Sequence, residues 1–188
     1  MNKAAVYLHY LVGHEPRTSF SSRSIHDYFY QHHFVQIHTP VLTSNDCEGG
    51  GEVFEVRPSN QSISKSMIKS NVLNLEEAYF NKKVFLTVSG QLHLEAMSNG
   101  LEKVYTFSPT FRAENSRTRR HLTEFSMIEA EVAFVDHLED LLQLQEDLIK
   151  HTLQAILESH EQDINYYLYL GHSTFIVRVL GHISELIK

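Results

Sequence analysis

Arg112, Glu114, His121, Phe125 and Glu129 fall within one stretch, VYTFSPTFRAENSRTRRHLTEFSMIEAE, running from Val104 to Glu131. This set suits a site holding a nucleotide beside an amino acid, because a fixed guanidinium stabilises two anions that must meet. Tyr105, Phe107 and Phe111 alternate with Thr106, Ser108 and Thr110, while Phe125, Met127, Glu129 and Glu131 recur at a spacing of two. The pattern predicts two strands, each presenting one face, joined by an arginine-rich loop from Asn115 to Arg120.

Other elements must frame these strands. Ile25, Tyr28 and Phe29 behind a serine-rich start predict a short helix over residues 21–33. Residues 35–39 alternate like a strand, and Pro40 then removes a backbone donor, as at a strand end or edge. The glycine run 49–51 reads as a turn, since no GxxxxGK pattern follows. Residues 57–74 are polar and serine-rich and read as a long surface insertion. A compact strand is predicted over residues 84–88. Leu138, Leu141, Leu142, Leu148, Ile149, Leu153, Ile156 and Leu157 fall largely on one side of a helix, predicting an amphipathic core helix.

Composition narrows the function classes. A chain of 188 residues with 42% hydrophobic content supports one domain with a core. A net charge of -7 is the wrong sign for a surface that binds nucleic acid everywhere, so any such contact must be local. Cys47 is the single cysteine, which excludes an intrachain disulfide and fits a reducing compartment. The 13 histidines form no HExxH or Cys-His cluster, and packed or solvated histidines are expected. No stretch approaches the roughly 20 apolar residues that span a bilayer, so no membrane partner is expected. The first 20 or so residues carry arginines and serines, a weak transit-peptide pattern opposed by Glu15.

Phe111-Arg112-Ala113-Glu114, a loop, and His121 followed four residues later by Phe125 resemble motif 2 of the class II aminoacyl-tRNA synthetases. HTPVLTSNDCEGGGEVF from His38 to Phe54 and FLTVSGQLHLEAM from Phe85 to Met97 narrow the resemblance to the asparaginyl branch of that family, over roughly residues 24–158. The resemblance implies an α+β fold: an antiparallel sheet flanked by helices, carrying the site on one face. It also implies a ligase that activates asparagine with ATP and charges tRNA(Asn), working as a homodimer through motif 1 around Pro40.

The same resemblance assigns roles residue by residue. Arg112 is the catalytic residue, bridging the substrate carboxylate and the α-phosphate. Phe125 stacks on adenine, Glu114 accepts from its amino group or orders the loop, and His121 lies near the γ-phosphate. Glu48, Ser89 and Gln91 receive the α-ammonium group, and Glu129 accepts from the side-chain amide. Arg117, Arg119 and Arg120 touch the acceptor end of the tRNA. Taken alone, Phe125 reads as a core residue, Ser89-Gly90-Gln91 as a strand-to-helix turn with a serine cap, and the three loop arginines as solvated. Aspartyl relatives carry Ser-Pro-Gln-Leu-any-Lys where this chain has Ser89-Gly90-Gln91-Leu92-His93-Leu94. Leu94 offers no cation for an acidic side chain, which Glu129 would also repel, so asparagine is favoured over aspartate.

The match is expected to stop near Glu158. Three parts are implied: an irregular segment over residues 1–20, a partial catalytic domain over residues 21–158 and a divergent tail over residues 159–188. The family's Mg2+ ligands and its glycine-rich motif 3 are not recognisable in the tail, so no metal ligand is assigned and a truncated form of reduced or no activity is expected. A sheet incomplete at the C-terminal end would expose an edge. The alternatives are a non-catalytic dimerisation or regulatory module, and an aspartyl-type enzyme or ammonia-dependent asparagine synthetase of the same fold. The compartment is expected to be the mitochondrial matrix or the cytoplasm.

Overall fold

The computed structural model describes residues 15–45, 52–66, 79–115, 122–159 and 161. They belong to two compact units, one of residues 1–35 with 134–188 and one of residues 36–133.

In the first unit, α1 (Glu15–Gln31) packs against α4 (Leu138–Ser159). Helix α1 begins six residues before the expected position 21, so the stretch taken as irregular is helical from Glu15. Pro16 in the first turn needs no donor there. Tyr28 and Phe29 are each 1% exposed and anchor the pair. The Tyr28 hydroxyl donates to the Leu144 carbonyl at 3.1 Å, and the Phe29 ring meets Phe34 edge-on at 5.0 Å. On α4, Leu148 and Thr152 are buried, whereas Leu138 and Leu142 are exposed. The expected leucine stripe is therefore core in its middle and surface at its start.

Burial first, and the charge of Asp147 second, push the Tyr28 phenol up to about 12 from an ordinary value of 10.0. The stability this group contributes is fully present below the ordinary value and lost as pH rises through the folded one. Thermal melts between pH 10 and 12 are expected to fall more steeply for the unaltered chain than for Tyr28→Phe.

A three-stranded sheet has the order β1 (Val35–Gln36), β4 (Lys103–Phe111), β5 (Glu124–Val132) and belongs to the second unit from Gln36 on. Strands β4 and β5 are antiparallel, with Lys103 opposite Val132 and Phe111 opposite Glu124. Strand β1 is shorter than the expected 35–39, although the Ile37 N–H still reaches the Tyr105 carbonyl at 2.7 Å. A second, two-stranded sheet pairs β2 (Leu42–Thr43) with β3 (Phe85–Leu86). The expected strand over 84–88 is cut to two residues because its backbone divides among partners: Val84 accepts from Val56, Leu86 donates to Phe54 and Thr87 donates to Val41. The polar insertion holds a short helix, α2 (Gln61–Ser66), and residues 67–78 lie outside the described set.

Helix α3 (Gln91–Leu101) packs on β4 and β5. Leu94 and Val104 are 0% exposed, and Met127 and Ile128 are also buried. Leu94→Ala is expected to destabilise the unit by about 2–5 kcal/mol in denaturant titration, the range for a deleted core leucine.

Backbone directions alternate along β4. The Arg112 N–H donates towards β5, to the Thr123 carbonyl, while Tyr105, Phe111 and Ala113 bond on the opposite side, to Ile37, Thr87 and Glu52. Pro109 shares the odd parity, so its missing donor costs β4 no bond to β5.

Candidate functional site

The register decides which side chains share a face. Directly opposite residues lie on the same side of an antiparallel pair, so Phe125, Met127, Glu129 and Glu131 lie with Thr110, Ser108, Thr106 and Val104. The aromatics Tyr105, Phe107 and Phe111 are on the other face. A row of hydroxyls therefore borders the candidate residues, and Arg112 continues that row past the strand end.

At one end of this face, the Arg112 guanidinium carbon is 5.5 Å from the centroid of the Phe125 ring. An Arg112 nitrogen lies 3.7 Å from Glu114 Oε1. The pair is partly exposed and worth at most about 1 kcal/mol in stability, so it orients more than it stabilises. The Arg112 backbone is fixed by its bond to Thr123 at 3.0 Å, and that of Ala113 by Glu52 at 2.7 Å.

Glu129 stands at the other end, four residues from Phe125 and thus about 13 Å along the strand. Glu129 is 8% exposed, and a carboxyl group so enclosed must be hydrogen-bonded. Both its oxygens are engaged by the turn that leads into α3. The Ser89 hydroxyl donates to Oε1, and the Gly90 N–H donates to Oε2 at 2.8 Å. The Ser89 oxygen also accepts from the Gln91 N–H at 3.1 Å. Gly90 occupies the cap position of α3 without a side-chain cap, so the expected serine cap is displaced by one residue and its hydroxyl is directed to Glu129.

Gln91 is turned away from this node. Its amide donates to Glu95 Oε1 at 2.7 Å, one helical turn along α3. Thus Ser89 and Glu129 are in direct contact, with the Gln91 N–H bonded to the Ser89 oxygen, and Arg112, Glu114 and Phe125 form a second group. Glu48, Arg117, Arg119, Arg120 and His121 lie outside the described residues. Among the described residues no group of three His, Cys, Asp or Glu side chains could hold a metal ion, and no helix is long and apolar enough to cross a membrane.

Residues that the sequence reading left out of the site also border it. Thr39 Oγ1 lies 3.4 Å from Thr106 Oγ1 and 3.2 Å from Ser108 Oγ, and the last two are 2.6 Å apart. The signal for Thr106 and Ser108 was their parity with Arg112. Thr39 gave none.

The family model described as tRNA synthetases class II (D, K and N) matches residues 17–183, and so runs through most of the tail expected to diverge. Asparaginyl-tRNA synthetase of Mus musculus is 46% identical over 170 residues, which are 90% of this chain and 33% of that protein. The mitochondrial asparagine–tRNA ligase of Schizosaccharomyces pombe is 46% identical over 142 residues, 76% of this chain and 31% of that one. Among solved structures, asparaginyl-tRNA synthetase from Pyrococcus horikoshii complexed with asparaginyl-adenylate superposes with a TM-score of 0.64 at 32% identity, covering 80% of this chain and 30% of that one. The chain spans about a third of the length of the relatives it matches.

Proposed function

The chain belongs to the class II tRNA synthetases of the D, K and N group, and from that membership we propose that it carries the asparagine- and ATP-binding part of an asparagine–tRNA ligase. The observation that carries this reading is the placement of Arg112 and Glu129 at opposite ends of one sheet face. In the proposed reaction a carboxylate oxygen of asparagine attacks the α-phosphate of ATP, pyrophosphate leaves, and the adenylate then passes its aminoacyl group to a terminal ribose hydroxyl of tRNA(Asn). Arg112 holds the two anions together and offsets the charge that develops on phosphorus. Phe125 offers its ring to adenine, and Glu114, with His121 beyond it, serves the nucleotide.

Glu129 accepts from the amide nitrogen of asparagine. Each carboxyl oxygen offers two lone-pair directions, so the bonds from Ser89 and Gly90 leave acceptor capacity for a ligand. Aspartate in the same place would meet a like charge, and the wholly buried Leu94 supplies no cation to relieve it. Ser89, with Glu48 and Gln91, belongs to the α-ammonium side of the pocket, and Arg117, Arg119 and Arg120 to the tRNA.

We further propose a homodimer through the segment around Pro40, a reading supported by the exposed Val35 and Leu42 that flank it. A mitochondrial compartment is supported by the similarity to the fission yeast protein.

Calorimetric titration of the 188-residue chain with nonhydrolysable asparaginyl- and aspartyl-adenylate analogues tests the ligase reading. Saturable binding that favours the asparaginyl form is expected. No binding by a folded, monodisperse chain would leave a dimerisation module as the better account.

A further inference from the structure

Gly90 has φ -86° and ψ -2°, a conformation open to any residue, so its backbone does not call for glycine. Space does. A Cβ at this position would lie 3.0 Å from both Cγ2 and Oγ1 of Thr39 and 3.1 Å from Cγ2 of Thr106. Thr106 is 0% exposed, and the Thr39, Thr106 and Ser108 hydroxyls are tied to one another. The wall facing Gly90 is therefore held from behind. On its other side, the Gly90 N–H donates to Glu129 Oε2 at 2.8 Å in a buried setting.

We propose that Gly90 is a positioning residue for amide recognition: its N–H fixes the angle of the Glu129 carboxyl, and its bare Cα lets the turn press close enough to Thr39 and Thr106 for that bond to form. This rests on the reading that Glu129 accepts from the asparagine amide. An oriented acceptor discriminates through the amide it receives, whereas repulsion of an acidic ligand depends little on angle. Loosening Glu129 therefore weakens asparagine binding and leaves the poor binding of aspartate almost where it was. Arg112 and Phe125 lie at the far end of the face, so adenine-nucleotide binding is untouched.

Two substitutions separate space from donor. Gly90→Ala keeps the N–H and adds the crowding Cβ; Gly90→Pro adds the crowding and deletes the donor. Titrations with asparaginyl-adenylate analogue, aspartyl-adenylate analogue and nonhydrolysable ATP analogue are compared. For Gly90→Pro a loss of about 10- to 100-fold is expected for the asparaginyl form alone, the range for a hydrogen bond to a charged group. Gly90→Ala is expected to lose less, and Thr39→Ala added to it recovers part of the loss by vacating the wall. The same addition to Gly90→Pro recovers none.

A spectroscopic readout stands apart from function. In chain labelled with 15N-glycine, the resonance that vanishes in Gly90→Ala is expected to shift in Glu129→Gln. A Gly90→Pro chain with unchanged preference, an equal loss for all three ligands, or an unmoved Gly90 resonance would overturn the inference alone. Failure of the unaltered chain to bind any analogue, with the resonance shift present, would overturn the reading of the site and this inference with it.

Discussion

Replacing Arg112 by alanine is expected to weaken binding of a nonhydrolysable asparaginyl-adenylate analogue by on the order of a hundredfold or more, while the thermal midpoint stays nearly unchanged. Truncating one partner of an enclosed charge pair costs about 2–5 kcal/mol, much of it from the ligand charge left unanswered. The Arg112 side chain is a quarter exposed, and its ring contact with Phe125 and its pairing with Glu114 are worth little to folding. The backbone bond to Thr123 survives any side-chain change. Arg112→Lys should recover only part of the affinity, because a point charge lacks the planar fork. If calorimetry returned a loss under threefold for the alanine variant, Arg112 would be a surface residue at a strand end.

The second large effect is expected at Glu129. Glu129→Gln keeps the volume and can satisfy its surroundings, with its carbonyl accepting from the Gly90 N–H and its amide donating to the Ser89 oxygen. The fold is therefore expected to survive. Selectivity is not: a neutral side chain no longer repels an acidic ligand, and its amide presents a donor where asparagine brings one. Competition between asparaginyl- and aspartyl-adenylate analogues should show the asparaginyl preference falling by about 10- to 100-fold. An unaltered preference would place amide recognition elsewhere.

Much of the candidate face was legible because strands obey a period of two. Phe125 and Glu129 share parity, so their common face followed from spacing alone. Which face of β4 joins them did not follow. Tyr105, Phe107 and Phe111 are the more conspicuous row, but the register sets Thr106 opposite Glu129, and the alternation within one strand carries no information about register. The contact of Glu129 with Ser89 and Gly90 joins residues about 40 positions apart, a distance over which local spacing carries no information. Gln91 illustrates a local pairing: Glu95, one helical turn away, accepts from its amide. The start of α1 at Glu15 lies ahead of the apolar residues Ile25, Tyr28 and Phe29 that signalled the helix, and Pro16 in its first turn costs no bond.

Pro109 has a consequence for how β4 finds its place. A slip of one residue against β5 would turn every odd position of β4 inward, rotating the hydroxyl row and Arg112 off the face that carries Phe125 and Glu129. It would also swing the proline nitrogen towards β5, where a donor is required, forfeiting a bond worth about 0.5–1.5 kcal/mol. Pro109 thus acts as a latch against misalignment, and Pro109→Ala is a chain in which mispaired states should accumulate during refolding.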